Sequence, residues 1–564
     1  MFMPNPITAF DFYKADHRSQ YPEGTDMVYS NFTPRSDRLA KVIREQFDGK
    51  IVFAGLQAFL IEFLIIQFGE KFFGISEDTA VARFTRRMVT SLGPNNIGED
   101  HIRALHRLGY LPLEIRALPE GSRVNMKVPV FTVKNTLPEF FWLTNAMETV
   151  LSMFTWKACT SATLAYEYRK LLDAYAEKTG TAKEFVQWQG HDFSMRGMSG
   201  FDDAMMSGFG HLLSFTGTDT IPAIDFAEQY YLADADMELI GGSVAATEHS
   251  VMCMGMADGE LETFRRLIED VYPAGIVSIV SDTWDFWKVM TELAPKLKDK
   301  IMARDGKVVF RPDSGDPVEI LCGIEIPTAK SVEDAAYRLV SSICEETPHG
   351  ECGPMDAGAV YLIDGQTHLI SVEIEWNRHD KQYYYEDGWE VVSSDVVELT
   401  AEQKGAVQCL YETFGGALTD KGYKLLDSHV GLIYGDSITL ERAQAILSRL
   451  ADKGFASGNV VFGIGSYTYE YQTRDTFGFA MKATAGSVNG EVREIFKDPA
   501  TGDGMKKSAK GFLRVEKEGS DFVLYDQQTE GQANTGALEL VFKDSTMVKQ
   551  QSLAEIRKVL GALV

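Results

Sequence analysis

Short clusters of charged residues and glycines follow a series of apolar, strand-like runs in this chain. Arg196 follows the run 185–193, Asp219 follows 212–215, and Glu248 with His249 comes next. Asp282 follows 276–280, Arg311 and Asp313 follow 308–310, Asp436 follows 430–434, and Gly463 and Gly465 follow 460–462. Apart from one long gap, successive clusters stand about 23 to 33 residues apart, the length of a strand–helix–strand repeat. Charged residues and glycines at the carboxyl ends of many parallel strands are how an α/β barrel assembles a site for a small phosphorylated ligand.

Each residue type suggests its own chemistry. Asp282, Asp313 and Asp436 can orient ribose hydroxyls, hold metal-bound water or cap the following helix. Three of them at equivalent positions favour a shared site over three separate caps. Arg196 and Arg311 offer permanently charged, planar forks of donors that fit phosphate oxygens; the structural alternative is a salt bridge to a nearby aspartate. Gly463-Ile464-Gly465-Ser466 lets backbone amides approach a phosphate without side-chain obstruction. His249 is the candidate for covalent or acid–base work, against the alternative of a structural hydrogen-bonding histidine. Glu248 precedes it and Asp282 ends the next strand, and a carboxylate holding the imidazole would fix its tautomer and raise its nucleophilicity.

These residues need elements to place them. Residues 1–155 mix helical and extended patterns and read as an N-terminal α+β domain. Within it, 53–73 and 140–156 predict helices, and 113–133 predicts short strands broken by Pro119, Gly121 and Pro129. Residues 156–484 carry the βα rhythm of an α/β barrel. The gap of about 123 residues between Asp313 and Asp436 implies a β-rich insertion at 320–422 within that barrel. The insertion opens with a helix near 331–345, capped by Ser331 with Asp334 at capping-box spacing. Hairpins are predicted around Asp364-Gly365 and Asp387-Gly388. Residues 485–564 lack strand-end clusters, read as a C-terminal segment rejoining the N-terminal domain, and close on a helix capped by Ser552 with Glu555.

The bulk properties narrow the field. A length of 564 residues allows two to four domains, and a hydrophobic share of 45% with 24% charged residues is that of a soluble globular protein. A net charge of −26 argues against nucleic acid or an anionic membrane as partner, so a polyanionic ligand needs a local basic pocket. The most apolar stretch, 51–68, is interrupted by Gln57, Glu62 and Gln67 and reads as a core helix, not a membrane span. No secretory signal is visible. Cys159, Cys253, Cys322, Cys344, Cys352 and Cys409 have no metal-like spacing and suggest reduced thiols in a cytoplasm.

The clusters resemble the nicotinamide phosphoribosyltransferases of the type II phosphoribosyltransferase family. The resemblance rests on Phe12-Tyr13-Lys14, Gln20-Tyr21-Pro22, His191-Asp192-Phe193 with Arg196-Gly197, and Gly217-Thr218-Asp219-Thr220. It continues through Glu248-His249-Ser250, Val280-Ser281-Asp282, Arg311-Pro312-Asp313-Ser314-Gly315, Gly435-Asp436, Thr473-Arg474-Asp475 and Phe496-Lys497-Asp498-Pro499. It covers about residues 9–557, excluding most of 320–422. The fold it implies is an irregular α/β barrel with a second α+β domain, here with the β-rich insert added.

The family condenses nicotinamide with phosphoribosyl pyrophosphate (PRPP), with Mg2+ and with ATP as co-substrate, in a homodimer whose sites lie at the subunit interface. The resemblance then implies a role for each position. Phe193 and the partner subunit's Tyr13 would sandwich the pyridine ring, Asp219 would accept a hydrogen bond from the carboxamide NH2, and Arg196 would contact the amide oxygen or a nearby phosphate. Arg311, Gly463, Gly465 and Ser466 fall where the family binds phosphate, and Asp313, Gly435 and Asp436 lie near the ribose. Arg35, Arg474 and Lys482 resemble partner-subunit residues that hold pyrophosphate or ATP phosphates. His249, with Glu248, Asp282 and Asp313 around it, matches the histidine phosphorylated when ATP hydrolysis drives synthesis. Magnesium would arrive through pyrophosphate and water, with no direct protein ligand assigned.

The chain also departs from the family pattern. Asp37 stands in a segment that is often lysine-rich, Ser466 replaces a usual glycine, and the insert has no counterpart in the animal members. Physical reasoning favours the amide as base. A nicotinate carboxylate about 4 Å from Asp219 would be repelled by about 4 kcal/mol at an effective dielectric near 20. The competing readings are a nicotinate phosphoribosyltransferase of the same fold, a catalytically inactive binding protein of that fold, and an unrelated barrel phosphatase.

Overall fold

Five consecutive buried residues, 28–32, show that the strand Thr25–Thr33 lies inside a sheet with both faces covered, and the sheet it joins draws on both ends of the chain. Its neighbours are Ala480–Val488 on one side and Phe131–Asn135 on the other, both antiparallel. Glu491–Glu494 lies outside Ala480–Val488, while Leu113–Ala117, Glu539–Lys543 and Thr546–Met547 complete the other side. The computed structural model describes residues 5–43, 47–346, 354–377, 379, 382–383, 388–435, 438–496 and 509–563. It is mixed α/β and forms two compact units. One comprises Met1–Ser243, Gly435–Gln444 and Val461–Val564; the other comprises Val244–Tyr434 and Ala445–Val460.

The first unit is built on the helix Phe141–Thr179, of 39 residues, which contains no Gly or Pro and stops at Gly180 in the left-handed conformation. The periodicity at 140–156 therefore marks only its first part. The predicted helix at 53–73 exists but is wound mostly as a wider π-helix over Leu60–Gln67 and Gly69–Phe73, after a single α-turn at Leu56–Phe59. Parallel strands Gly217–Thr218, Gly190–Asp192 and Val460–Ile464 lie side by side, with Phe462 opposite Gly190 and His191 opposite Gly217. Two sequence expectations need correction here. Most of the run 185–193 is the helix Lys183–Gln189, with only Gly190–Asp192 extended, and 212–215 is a helix end and turn before the strand Gly217–Thr218. Short apolar runs satisfy either period, and the pairing partners decide between them.

The second unit carries parallel strands Ala245–Ala246, Ala274–Val280, Asp305–Arg311 and Val430–Tyr434, in that spatial order. Each βα connection returns the chain to the same edge, so the strand ends come together. Between the third and fourth strands lies an added lobe. Its helix Val332–Glu346 begins with the Ser331 hydroxyl accepting from the Asp334 amide at 3.2 Å. Met355–Ile363, Gln366–Ile374 and Trp389–Val396 form an antiparallel sheet, joined first by Asp364 and Gly365, both at positive φ. Ala335, Ala336, Val340, Ile370, Val372 and Ile374 share its buried core. The turn predicted at Asp387-Gly388 has Asp387 outside the described residues. Of the C-terminal expectations, the helix Leu553–Leu560 has its full capping box between Ser552 and Glu555.

Candidate functional site

In the first unit the strand Gly190–Asp192 ends in two side chains aimed at one place. His191 and Phe193 are two residues apart, so an extended chain puts them on the same face, and their ring centroids are 4.7 Å apart. Asp219 follows the neighbouring strand. Its Oδ1 lies 2.9 Å from His191 Nε2 and accepts from Ser243 Oγ at 2.5 Å. The Asp219 side chain is 45% exposed while that of His191 is 9% exposed, so a buried imidazole positions a carboxylate that reaches solvent. Phe193 is half-buried, its amide donating to Ile464 O at 3.0 Å.

The adjoining turns carry the groups proposed for phosphate. Arg196 sits in the turn Met195–Gly197, exposed and with no carboxylate partner among the described residues. The salt-bridge alternative for Arg196 therefore falls. Gly463 lies in the strand opposite His191. A Cβ built on Gly465 meets nothing within 4 Å, so the space above that backbone is open, and Ser466 begins the short helix Ser466–Glu470. Beneath the shelf, buried His211 bonds Tyr469 Oη through Nδ1 at 2.8 Å and the Gly217 carbonyl through Nε2 at 3.0 Å. The Nε2 proton must go to the carbonyl, which leaves Nδ1 to accept from the phenol. Burial lowers the pKa of this imidazole and keeps it neutral.

The second unit assembles a different cluster. His249 begins the helix His249–Met254; its Nε2 lies 3.1 Å from Asp313 Oδ1 and its Nδ1 3.3 Å from Thr283 Oγ1. Asp313 is thus the carboxylate on the imidazole, and the expectation of Glu248 or Asp282 is corrected. Glu248 is the residue before the helix, and its carboxylate accepts from Ser250 Oγ. Strand register sets Val280 opposite Arg311, which brings Asp282 beside Asp313. Asp282 Oδ2 accepts from the Asp313 amide at 3.0 Å and from Ser314 Oγ at 2.5 Å, while Oδ1 is buried without a partner among the described residues. Burial pushes the Asp313 carboxyl up from its usual range and the Asp282 charge adds to it, with His249 and Arg311 pulling the other way. Arg311 at the strand end donates through Nη2 to the Thr247 carbonyl.

His249, Asp282 and Asp313 place one ligand atom each within 4.8 Å of one another. Two carboxylates with an orphaned oxygen suit a hard cation that keeps most of its water. Gly435 directly follows the strand Val430–Tyr434, whereas Asp436 lies outside the described residues.

The remaining candidates belong to the first unit. Tyr13 is 62% exposed. Arg35 donates from Nε to Gly478 O at 3.0 Å, and its pKa is lowered by burial and by nearby Arg474. Arg474 pairs with Asp475 at 3.2 Å on the surface. Lys482 stands opposite Asn31 in the antiparallel sheet. Sequence reasoning gave no role to His191, Ser243, Thr283 or Ser314. Alternation with Phe193 could have flagged His191, and adjacency to Asp282 and Asp313 could have flagged Thr283 and Ser314. Nothing in the sequence links Ser243 to Asp219.

The chain is similar to known proteins over nearly its whole length. The model for the nicotinate phosphoribosyltransferase (NAPRTase) family matches residues 188–343 and 367–551, and that for the nicotinamide phosphoribosyltransferase N-terminal domain matches 5–72. The nicotinamide phosphoribosyltransferase of Acinetobacter baylyi is 53% identical over 99% of this chain and 98% of its own. That of Mycoplasma pneumoniae is 30% identical over 90% and 94%. The crystal structure of nicotinate-nucleotide pyrophosphorylase from Pyrococcus furiosus superposes with a TM-score of 0.51 at 11% identity, covering 100% of this chain and 98% of that one, which shows a shared fold.

Proposed function

This chain belongs to the nicotinate phosphoribosyltransferase family, and from that premise we infer that it transfers the phosphoribosyl group of PRPP to nicotinamide in NAD salvage. The products are nicotinamide mononucleotide and pyrophosphate. The observation that carries the choice of base is the Asp219 carboxylate, 2.9 Å from His191 Nε2, on a side chain 45% exposed to solvent near the Phe193 ring. A carboxylate at that position can accept from the NH2 of a carboxamide, whereas a second carboxylate brought against it would be repelled.

Catalysis is then mainly positioning. The pyridine lies on Phe193, its nitrogen attacks the anomeric carbon, and the bond to pyrophosphate breaks through an oxocarbenium-like state. Arg196, Arg311 and the Gly465–Ser466 turn hold phosphate oxygens. Asp313 and Asp436 orient the ribose. Mg2+ would be held by oxygens of Asp282 and Asp313 together with water and substrate phosphates, and would supply charge neutralisation for the departing pyrophosphate.

ATP coupling runs through His249 in this reading. Asp313 takes the Nε2 proton in a hydrogen bond, so the nucleophile is Nδ1, beside Thr283. Nδ1 attacks the γ-phosphorus, the bond to the bridging oxygen breaks and ADP leaves. Asp313 then steadies the positive imidazole ring. The phosphorylated histidine is later hydrolysed to free phosphate.

Tyr13, Arg35, Arg474 and Lys482 would complete a neighbouring subunit's site in a homodimer. The exposure of Tyr13 and Arg474 and the closeness of Arg35 to Arg474 support this. A cytoplasmic setting fits the free thiols at Cys159, Cys253, Cys322, Cys344 and Cys409. Among the described residues no helix is long and apolar enough to cross a membrane.

Product analysis with nicotinamide and nicotinate, each with PRPP and Mg2+, with and without ATP, tests the reading. Nicotinamide mononucleotide and pyrophosphate should form, faster with ATP. Preferred use of nicotinate would replace the base assignment, and no pyrophosphate from either base would end it.

A further inference from the structure

Lys157 is a buried ammonium that the chemistry above does not use. It projects from the helix Phe141–Thr179 with its side chain 4% exposed. Its Nζ donates to the Tyr469 carbonyl at 2.8 Å and contacts Asp203 Oδ1 at 2.9 Å and Glu470 Oε2 at 3.3 Å. An ammonium has three protons, so all three are spent. The far oxygens of both carboxylates converge on one residue. Asp203 Oδ2 accepts the Ser199 amide at 3.0 Å, and Glu470 Oε1 accepts the Ser199 hydroxyl.

Ser199 follows Arg196 by three residues, and Tyr469 and Glu470 end the helix that starts at Ser466. Lys157 therefore grips both turns from behind. In front, the turns touch directly: a methyl group on Gly197 would stand 2.6 Å from Ser466 Cβ. A guanidinium and a glycine turn that share one phosphate must keep their spacing to well under 1 Å, because small misplacements far from the reacting atoms are expensive in rate.

We propose that Lys157 is a positioning residue that fixes the Arg196 turn against the Gly465–Ser466 turn and so sets the affinity of the site for phosphate groups. It touches no substrate. Its three bonds run to Tyr469, Asp203 and Glu470 and not to His191, Asp219 or Ser243, so its effect falls on the phosphate side. The proposal rests on the phosphoribosyl-transfer reading for the identity of the substrate, but the geometry makes the same demand of any phosphate ligand.

Two readouts test it: steady-state KM for PRPP and for nicotinamide, and calorimetric binding of inorganic pyrophosphate, which needs no turnover. Lys157→Met should raise the KM for PRPP and the Kd for pyrophosphate about 10- to 100-fold, with the KM for nicotinamide within about twofold. Lys157→Arg keeps the charge and should recover part of the loss. Ser199→Ala removes only one hydroxyl contact, and should shift both values in the same direction by a smaller factor if Lys157→Met does not fold. Unchanged PRPP and pyrophosphate affinities in a folded variant would overturn the proposal. So would equal weakening of both substrates alongside a lowered Tm, the signature of a purely structural lysine. Absence of transfer by the unaltered protein would fell the functional reading, and pyrophosphate binding would still decide the role of Lys157.

Discussion

The two strand-end clusters are made of similar residues and hold opposite amounts of spare bonding capacity. In the first unit Asp219 is shared by His191 and Ser243, and His211 is spent on Tyr469 and Gly217. In the second unit His249 is 48% exposed, Asp282 keeps a buried oxygen with no partner among the described residues, and Asp313 sits between a histidine and a second carboxylate. A site that recognises a neutral ring gains from fixed, satisfied groups, since little charge moves when the ring binds. A site that handles phosphoryl groups needs unsatisfied ones, kept ready for a ligand that brings its own charge. In the proposed function, satisfied groups go with recognition of the base and unsatisfied ones with phosphoryl chemistry.

The strongest way to break that comparison is His249→Ala. ATP stimulation should vanish, with basal synthesis retained, when pyrophosphate release is followed with and without ATP and acid-labile phosphate on the protein is counted. Stimulation that survives would move the phosphoryl acceptor elsewhere. Asp313→Asn should keep the imidazole in place but lose control of its proton, lowering the ATP-dependent rate by about 100-fold. A rate within a few-fold of the starting protein would show that Asp313 only packs.

Asp219→Asn acts on the recognition side alone. It should cut the preference for nicotinamide over nicotinate by at least about tenfold in competition assays and leave ATP coupling intact. An unaltered preference would mean that the amide is read by other groups.

The smallest effect concerns Glu120, a fully buried carboxylate of the first unit that accepts from the Gly55 and Gln57 amides at 2.7 Å and from Tyr231 Oη at 3.0 Å. Burial pushes its pKa up from 4.5 to about 6, more than these donors pull it down. The folded state therefore favours the protonated form. The stability this adds is complete below the unfolded pKa and is lost as pH rises through about 6, a span of about 2 kcal/mol. Tm should fall more steeply from pH 4.5 to 7 than it does for Glu120→Gln. Parallel curves for the two proteins would assign the pH dependence to other groups.

Much of this was legible in the residue order. The run 430–434 is a strand to the residue, the Asp364-Gly365 turn joins the strands it was expected to join, and Ser331 and Ser552 cap their helices. These features are local, and local chemistry decides them. The partner of His249 was not legible, because it depends on lateral register. With Val280 opposite Arg311, Asp282 spends one oxygen on Asp313 and Ser314, and only Asp313 is left to face the imidazole. The run 185–193 misled for a related reason: Phe185, Val186 and Trp188 suit a helix as well as a strand, and only three residues pair. Ser243 meets Asp219 through a loop whose path no spacing encodes.

The sheet that pairs Thr25–Thr33 with Ala480–Val488 has a consequence for how the chain is made. Residue 25 pairs with residue 488, so one edge of an early strand waits for the last part of the polypeptide. At about 5–20 residues per second of synthesis that delay is roughly 20–90 s. Phe131–Asn135 emerges sooner and can cover the other edge. During that delay the nascent strand has one edge of unpaired N–H and C=O groups, and the protein's yield in a cell will depend on what shields that edge on the ribosome.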